Sequence, residues 1–143
     1  MERFKLLSAV HLFLIKEDKI LLQRRFNTGY EDGNYSVPAG HLDGNEPASK
    51  AMAREAFEET GIKIRPEDLK VVHTMHRLTP KDERIDFFLI VKSWEGEPTI
   101  KEPNKCDDLK WFPTTEIPPN TIPYVRFAIE QYTSNNHFSE FGW

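Results

Sequence analysis

Residues 40–62, GHLDGNEPASKAMAREAFEETGI, constrain this chain more than any other stretch. From Ala48 to Thr60 no glycine or proline interrupts the run, so the segment predicts a helix over 48–60. Asn45 stands at a cap position, Pro47 falls within the first turn and Gly61 is a C-terminal stop. On that helix Glu55, Glu58 and Glu59 are spaced i, i+3 and i+4 and share one face. At about 100° per residue Ala48 and Ala51 fall on the same face, while Ala53 and Phe57 point the opposite way. The expectation is a cluster of acids above a patch of methyl groups, with a hydrophobic back that packs on a sheet. Such a face leaves space for a bulky ligand.

Like charges at this spacing destabilise a bare helix by roughly 0.2–0.5 kcal/mol per pair. A hard divalent cation reverses the sign, because Mg²⁺ favours a few carboxylates, retained waters and phosphate oxygens. The alternative is a solvated face on which Arg54 and Lys50 form weak surface pairs. Spacing by itself does not decide between them.

Composition narrows the classes. With 143 residues the chain fits one domain, expected over 1–143. Hydrophobic residues at 38% and charged residues at 29% describe a soluble globular protein, not a disordered one. The single cysteine, Cys106, excludes an internal disulfide, and nothing near it has the spacing of a zinc site. The net charge of −4 argues against a protein that holds long nucleic acid by its backbone. A small anionic substrate would then need a metal or well-placed arginines to offset repulsion. The opening run MERFKLLSAVHLFLIKED is broken by Ser8 and His11 and lacks a signal-cleavage site, and no stretch approaches about 18 apolar residues. The expectation is a cytoplasmic protein with no membrane partner.

Along the chain, residues 4–15 read as a buried strand, and the polar turn 16–19 leads into a hairpin partner at 20–25. Residues 26–34 form a loop with Gly29 and Gly33, and 35–38 are short and extended. Strands are predicted at 71–78, 85–94 and 110–112, a loop at 95–105, a turn at 118–120 and a second helix at 125–132. On that helix Val125, Ile129 and Tyr132 share a face. Strands, helix, strands and helix in that order indicate one mixed α/β domain.

The residues flanking the three glutamates settle what spacing could not. Gly40, Glu46, Arg54, Glu55, Ala56, Glu58, Glu59, Gly61 and Ile62 fill, in order, the pattern G-x5-E-x7-R-E-U-x-E-E-x-G-U, where U is a bulky apolar residue and Ala56 a small occupant. Fixed positions at about one in fifteen each give a chance match near 10⁻⁸ per starting point. This is the Nudix box, and the chain resembles the Nudix hydrolases, in particular their small MutT-like members.

That resemblance implies an α/β class fold, an α/β/α sandwich with a mixed central β-sheet and a loop–helix–loop catalytic motif. It also implies hydrolysis of a phosphoanhydride in a nucleoside diphosphate linked to another group, with Mg²⁺ or Mn²⁺. Carried over by position, Glu55, Glu58 and Glu59 are metal ligands and catalytic groups, one of them able to activate water. Arg54 and Glu46 hold the loop and helix in shape, with Gly40 and Gly61 as structural positions. The chemistry agrees. Cleaving a phosphoanhydride builds charge on oxygen, which positioned cations stabilise. A bound cation also lowers the pKa of water, and a glutamate can take the remaining proton.

Outside the box the readings stay open. Pro38–Ala39–Gly40 stands where the family often has Pro-Gly-Gly; the Ala39 carbonyl, a metal ligand by similarity, survives the change. Tyr35 occupies a place where tryptophan is common and is expected to pack. Arg25, at the end of the second strand, lies where relatives hold phosphate or is a surface charge, Gly40 is a further substrate-binding position, and Arg24 is expected to point to the other face. Glu102 is either a further metal carboxylate or an ordinary loop acid. Asn120 could offer donor and acceptor to an oxidised purine, yet asparagine after Pro-Pro is also a turn and helix-cap residue. Arg84 and Asp86 share a strand face and either line the pocket or pair. His41 is expected to border the cleft, Cys106 to be an idle loop thiol, Trp94 and Trp111 to belong to the core or a base-binding wall. Phe138, Phe141 and Trp143 are expected to pack the tail onto the body or a partner.

The leading expectation is a divalent-metal-dependent pyrophosphohydrolase of a small-molecule nucleotide, releasing a monophosphate and pyrophosphate, with 8-oxo-dGTP as the favoured oxidised substrate. Dinucleoside polyphosphates, ADP-ribose, nucleotide sugars and pterin triphosphates are the alternatives. A non-catalytic nucleotide sensor is the rival class, although such modules usually lose box glutamates. An isopentenyl diphosphate isomerase needs a suitably placed cysteine, which Cys106 is not. A homodimer stays open as an assembly.

Overall fold

The computed structural model describes residues 1–143. Twelve elements follow one another along the chain. The first are β1 (Leu7–Phe13), β2 (Ile15–Lys16), β3 (Lys19–Arg25), β4 (Tyr35–Ser36), β5 (Ala39–His41) and helix α1 (Ala48–Thr60). A 3₁₀ turn (Pro66–Asp68) then precedes β6 (Leu69–Leu78), β7 (Glu83–Val91), β8 (Cys106–Pro113), helix α2 (Pro123–Thr133) and β9 (Phe138–Phe141).

The strands form two sheets. One runs β5-β1-β7-β6-β9 and is mixed: β1 pairs parallel to β7 and β9 parallel to β6, while β5 and the β6–β7 pair are antiparallel. In the other, antiparallel sheet, β3 pairs with β2, β4 and β8. The β2–β3 hairpin turns through Glu17 and Asp18, both with φ near +60° (53° and 63°), which is the primed two-residue turn whose twist matches flanking strands.

Alternation along the strands sorts apolar side chains between two cores. Val10 and Leu12 of β1, Leu21 of β3 and Leu89 of β7 meet Ala51, Met52 and Ala56 of α1. Phe13, Leu22, Phe88 and Met75 face the other way and meet Val125, Ala128 and Ile129 of α2. The two helices therefore cover opposite sides of the mixed sheet, giving the α/β/α arrangement. Each fully buried large side chain contributes roughly 1.5–3 kcal/mol. No helix is long and apolar enough to cross a membrane.

Several expectations need correction. Helix α1 has the expected bounds and ends on Gly61 at φ 80°, the left-handed cap. Its N-cap, however, is Pro47 with no side-chain bond; Asn45 sits two residues earlier, at φ 60° in a turn with Gly44. The packing face is also rotated. Ala51, Met52, Ala56 and Thr60 are buried, whereas Phe57 is 48% exposed. The buried stripe lies beside the acid face rather than behind it, because Met52, Ala56 and Thr60 form an i, i+4, i+8 row along the sheet.

The first strand starts at Leu7, and β8 is longer than expected, running from Cys106. The expected mixed central sheet is present, and a second, antiparallel sheet stands beside it. The tail, with no alternating apolar pattern to announce it, adds β9 to the sheet edge. There Phe141 meets Phe127 at 5.4 Å between ring centroids, and the Trp143 indole N–H donates to the His76 carbonyl at 3.2 Å.

Candidate active site

Strand β5 is pinned to β1 at both ends: Leu12 N–H donates to the Pro38 carbonyl (2.8 Å) and Leu42 N–H to that of Ser8 (2.9 Å). Helix α1 then runs back beneath it, so the acid row of the helix is brought against Ala39 and Gly40. A cleft of about 500 Å³ opens there, lined on this side by Glu55, Glu58, Glu59, Ala39, Gly40 and His41. The opposite wall comes from the end of β3, the loop before β8 and the start of β8, and carries Arg24, Arg25, Glu102, Lys105 and Cys106. Acids and cations from four segments, 23–25, 39–43, 55–59 and 102–106, thus surround one space.

The three glutamates are not equivalent, and helix geometry says why. Glu59 lies seven residues beyond the buried Met52, about 20° from eclipsed, so it is carried into the edge of the core. Its Oε1 accepts from Gln23 Nε2 at 2.7 Å and, at 3.4 Å, from the Ala39 N–H; its Oε2 is buried with no partner. Burial pushes its carboxyl up to about 8, against the Gln23 hydrogen bond, with the nearby Glu55 charge adding to the rise. Glu55 passes under Gly40, where any side chain would collide: a Cβ there would stand 2.3 Å from Glu55 Cδ. Glu58 is outermost, its side chain 50% exposed against 20% for Glu55.

Arg54 ties this group together. Its Nη1 donates to Glu55 Oε1 at 2.9 Å and to Glu58 Oε1 at 3.3 Å, while Nη2 and Nε reach Glu46 at 3.0 and 3.1 Å. These hydrogen bonds raise the Arg54 pKa and hold the Glu46 carboxyl below its usual value.

Would these residues suit a divalent cation? As the side chains stand, no three His, Cys, Asp or Glu groups are arranged to hold one; Arg54 draws Glu55 and Glu58 to itself. The donors nevertheless suit a hard ion. All are carboxylate or carbonyl oxygens, one carboxylate oxygen is buried and orphaned, and Gly40 has no side chain to fill the space beside Glu55. The residues fit.

The other expected site residues divide. Glu102 lies in the cleft, 3.8 Å from Lys105 Nζ. Arg25 lies there too, its Nε donating to the Tyr30 carbonyl at 2.6 Å and Nη2 to Thr28 Oγ1 at 3.1 Å. Arg24 borders the cleft, but its side chain goes to the far side as expected: its guanidinium lies over the Tyr35 ring at 5.8 Å and its Nε donates to Asp107 at 2.7 Å. A register shift against β8 falls between Arg24 and Arg25. Asn120 is not brought to this cleft. Its Nδ2 donates to the Gly33 carbonyl (2.8 Å) and its own carbonyl accepts Tyr35 N–H (2.8 Å), so it fastens the 118–122 turn to the 26–34 loop. It is no helix cap either, since Ile122 takes that position.

Tyr35 packs as expected, edge-on to Phe112 with its hydroxyl on Asp108. Trp94 and Trp111 stack at 6.3 Å against the first core. Cys106 lies in β8, its thiol bonded to the Asp108 carbonyl, and burial raises its pKa. Asp86 is fully buried and pairs not with Arg84 but with Arg77 (2.7 Å) and His11 (3.0 Å). Burial alone would raise its pKa; the His11 and Arg77 hydrogen bonds outweigh that and hold it at about 2. Arg84 instead bonds Asp82 and touches His41 at 3.2 Å.

Sequence reading missed Gln23 and Lys105. Gln23 was legible in principle: two residues after Leu21, it must share that residue's α1-facing side. Lys105 carried no such signal, because its loop has no period.

A family profile for the NUDIX domain matches residues 5–131. An NAD-capped RNA hydrolase, NudC, of Vibrio parahaemolyticus is 31% identical over 122 residues, covering 84% of this chain but only 44% of that protein. An 8-oxo-dGTP diphosphatase of Escherichia coli is 27% identical over 123 residues, 85% of this chain and 94% of that one. The crystal structure of a MutT NUDIX hydrolase from Burkholderia pseudomallei superposes with a TM-score of 0.81 at 24% identity, covering 90% of this chain and 98% of the other. That last likeness shows the fold alone.

Proposed function

The chain belongs to the NUDIX domain family, and on that footing we propose that it is a divalent-metal-dependent pyrophosphohydrolase of a nucleoside triphosphate or a related nucleoside diphosphate derivative. The observation that carries the reading is the single cleft in which Glu55, Glu58 and Glu59 face Arg25 and Lys105. Carboxylates alone would repel a polyphosphate, and arginine alone would bind it without cleaving it. The two walls together suit an anion that arrives with a cation.

In this reading Glu55, Glu58, Glu59 and the Ala39 carbonyl hold Mg²⁺ or Mn²⁺, with Glu102 completing the set from the opposite wall. When bound, the ion neutralises phosphate charge and lowers the pKa of water. Arg25 and Lys105 orient the phosphate chain, and Gly40 gives it access to the backbone. Arg54, anchored by Glu46, holds Glu55 and Glu58 in their rotamers and gives them up to the cation. A cleft glutamate takes the proton as water adds to phosphorus; the anhydride P–O bond breaks and the leaving phosphate carries the electron pair. The products are a monophosphate and pyrophosphate.

Among substrates, an oxidised purine triphosphate such as 8-oxo-dGTP is favoured by the likeness to the E. coli diphosphatase, which extends over 94% of that enzyme. The NAD-capped RNA hydrolase shares less than half its length with this chain. The test is a panel of triphosphates, dinucleoside polyphosphates, ADP-ribose and nucleotide sugars with Mg²⁺ or Mn²⁺. Pyrophosphate or monophosphate release from at least one, abolished by EDTA, is expected. No turnover anywhere on the panel would transfer the case to a nucleotide sensor.

A further inference from the structure

Glu59 differs from its two neighbours in what holds it. Glu55 and Glu58 are bonded to the Arg54 guanidinium. The one short hydrogen bond to Glu59 comes from a neutral amide, Gln23 Nε2 at 2.7 Å; the Ala39 N–H at 3.4 Å is a weak second. A carboxylate plane turns about a broad terminal torsion, so a single firm donor on Oε1 sets where Oε2 points. That second oxygen is buried without a donor, and the Glu55 carboxyl is its charged neighbour. An amide donor fixes the plane without neutralising the charge, whereas an arginine or lysine in its place would compete with any cation.

The support behind Gln23 is rigid. It sits in β3 opposite Leu109 of β8 on one side and Ser36 of β4 on the other, with strands on both flanks. Leu21, two residues earlier on the same side, is buried in the first core. Gln23 is therefore the residue at which that apolar column meets the cleft, just before the register shift against β8.

We propose that Gln23 is a positioning residue for Glu59: its side-chain amide saturates Oε1 and presents the unpartnered Oε2 to a divalent cation in the cleft. This rests on the reading of Glu59 as a cation ligand.

The test reads Mn²⁺ binding to the full chain by the electron paramagnetic resonance of the free ion, alongside turnover. Gln23→Met keeps the length and removes the donor; Gln23→Asn keeps the amide but is one methylene too short, and serves where methionine disturbs packing. Both are expected to weaken Mn²⁺ binding and lower kcat about ten-fold or more, with substrate KM little changed and the thermal midpoint within a few degrees. In a Glu59→Gln background, Gln23→Met should add nothing further, the mark of a residue acting through another. Wild-type Mn²⁺ affinity in both Gln23 variants, while Glu59→Gln weakens it, would overturn this inference alone. So would an undiminished Gln23→Met effect in the Glu59→Gln background. Unchanged Mn²⁺ affinity in Glu59→Gln itself would instead remove the metal role of Glu59, and the positioning role with it.

Discussion

Gly40→Ala separates the site from the fold. Gly40 is not among the residues with positive φ, so alanine can adopt its backbone conformation without strain. What it cannot do is share the space occupied by Glu55. The new methyl would stand 2.3 Å from Glu55 Cδ, 2.4 Å from Cγ and 2.6 Å from Oε1. Carbon atoms rest about 3.5–4.0 Å apart, so the carboxylate must retreat by about 1 Å or more. The obstructing atoms end a flexible, partly exposed side chain, and relief by rotation should cost the fold under about 1 kcal/mol, below the usual range for a crowded core. A displacement of that size in a group that positions the reaction costs about 100-fold in rate. Steady-state kinetics with the best nucleotide, together with thermal unfolding, should show kcat down about 100-fold and the midpoint shifted by no more than a few degrees. Gly61→Ala makes the contrast. Gly61 lies at φ 80°, where a Cβ is strained, and the variant should lose about 1–2 kcal/mol of stability. A Gly40→Ala enzyme that turns over within two-fold of wild type, or one that unfolds like Gly61→Ala, would refute the crowding argument.

The remaining predictions concern other parts of the molecule. Glu58→Gln and Glu59→Gln should each cut kcat by about two orders of magnitude or more while circular dichroism stays native, since neither side chain belongs to either apolar core; near wild-type turnover in both would remove their assigned roles. Asp86 should dominate acid sensitivity. Its folded pKa of about 2 lies below the unfolded 3.8, so the pair with Arg77 and His11 stabilises above about pH 4 and is lost as pH falls towards 2. The loss is about 2 kcal/mol, read from urea midpoints across that window. Asp86→Asn, which leaves Arg77 buried without its counter-charge, should cost about 3 kcal/mol at neutral pH, and a loss under 1 kcal/mol would contradict the pairing. Asn120→Ala should cost about 1 kcal/mol through the lost bond to Gly33 and leave selectivity among bases unchanged; a change in base preference at constant stability would return Asn120 to substrate recognition.

How much was legible beforehand depends on whether a feature is local. Helix α1 was readable to the residue because its stop signal, Gly61, acts through its own φ angle and the run before it has no breaker. The hairpin at 16–19 and the core face of α2 were readable for the same reason. Asn45 misled because capping preference is a tendency of residue type, whereas the loop before α1 uses that residue's tolerance of positive φ instead. Arg24 was placed by alternation, which puts it with Leu22 on the side of Tyr35. Strand β9 was invisible: a four-residue edge strand is held by its neighbour β6, not by any pattern of its own.

The spacing of Glu55, Glu58 and Glu59 on one helix face, and the box around them, are properties of the sequence, since a helix has one period and fixes which residues can be neighbours. Which of the three acids is enclosed, which is bound by Arg54 and which meets Gln23 was decided by how that helix lies on the sheet. Burial, orphaned oxygens and opposing charges arise only between segments far apart in the chain, and no local period encodes the angle at which they meet.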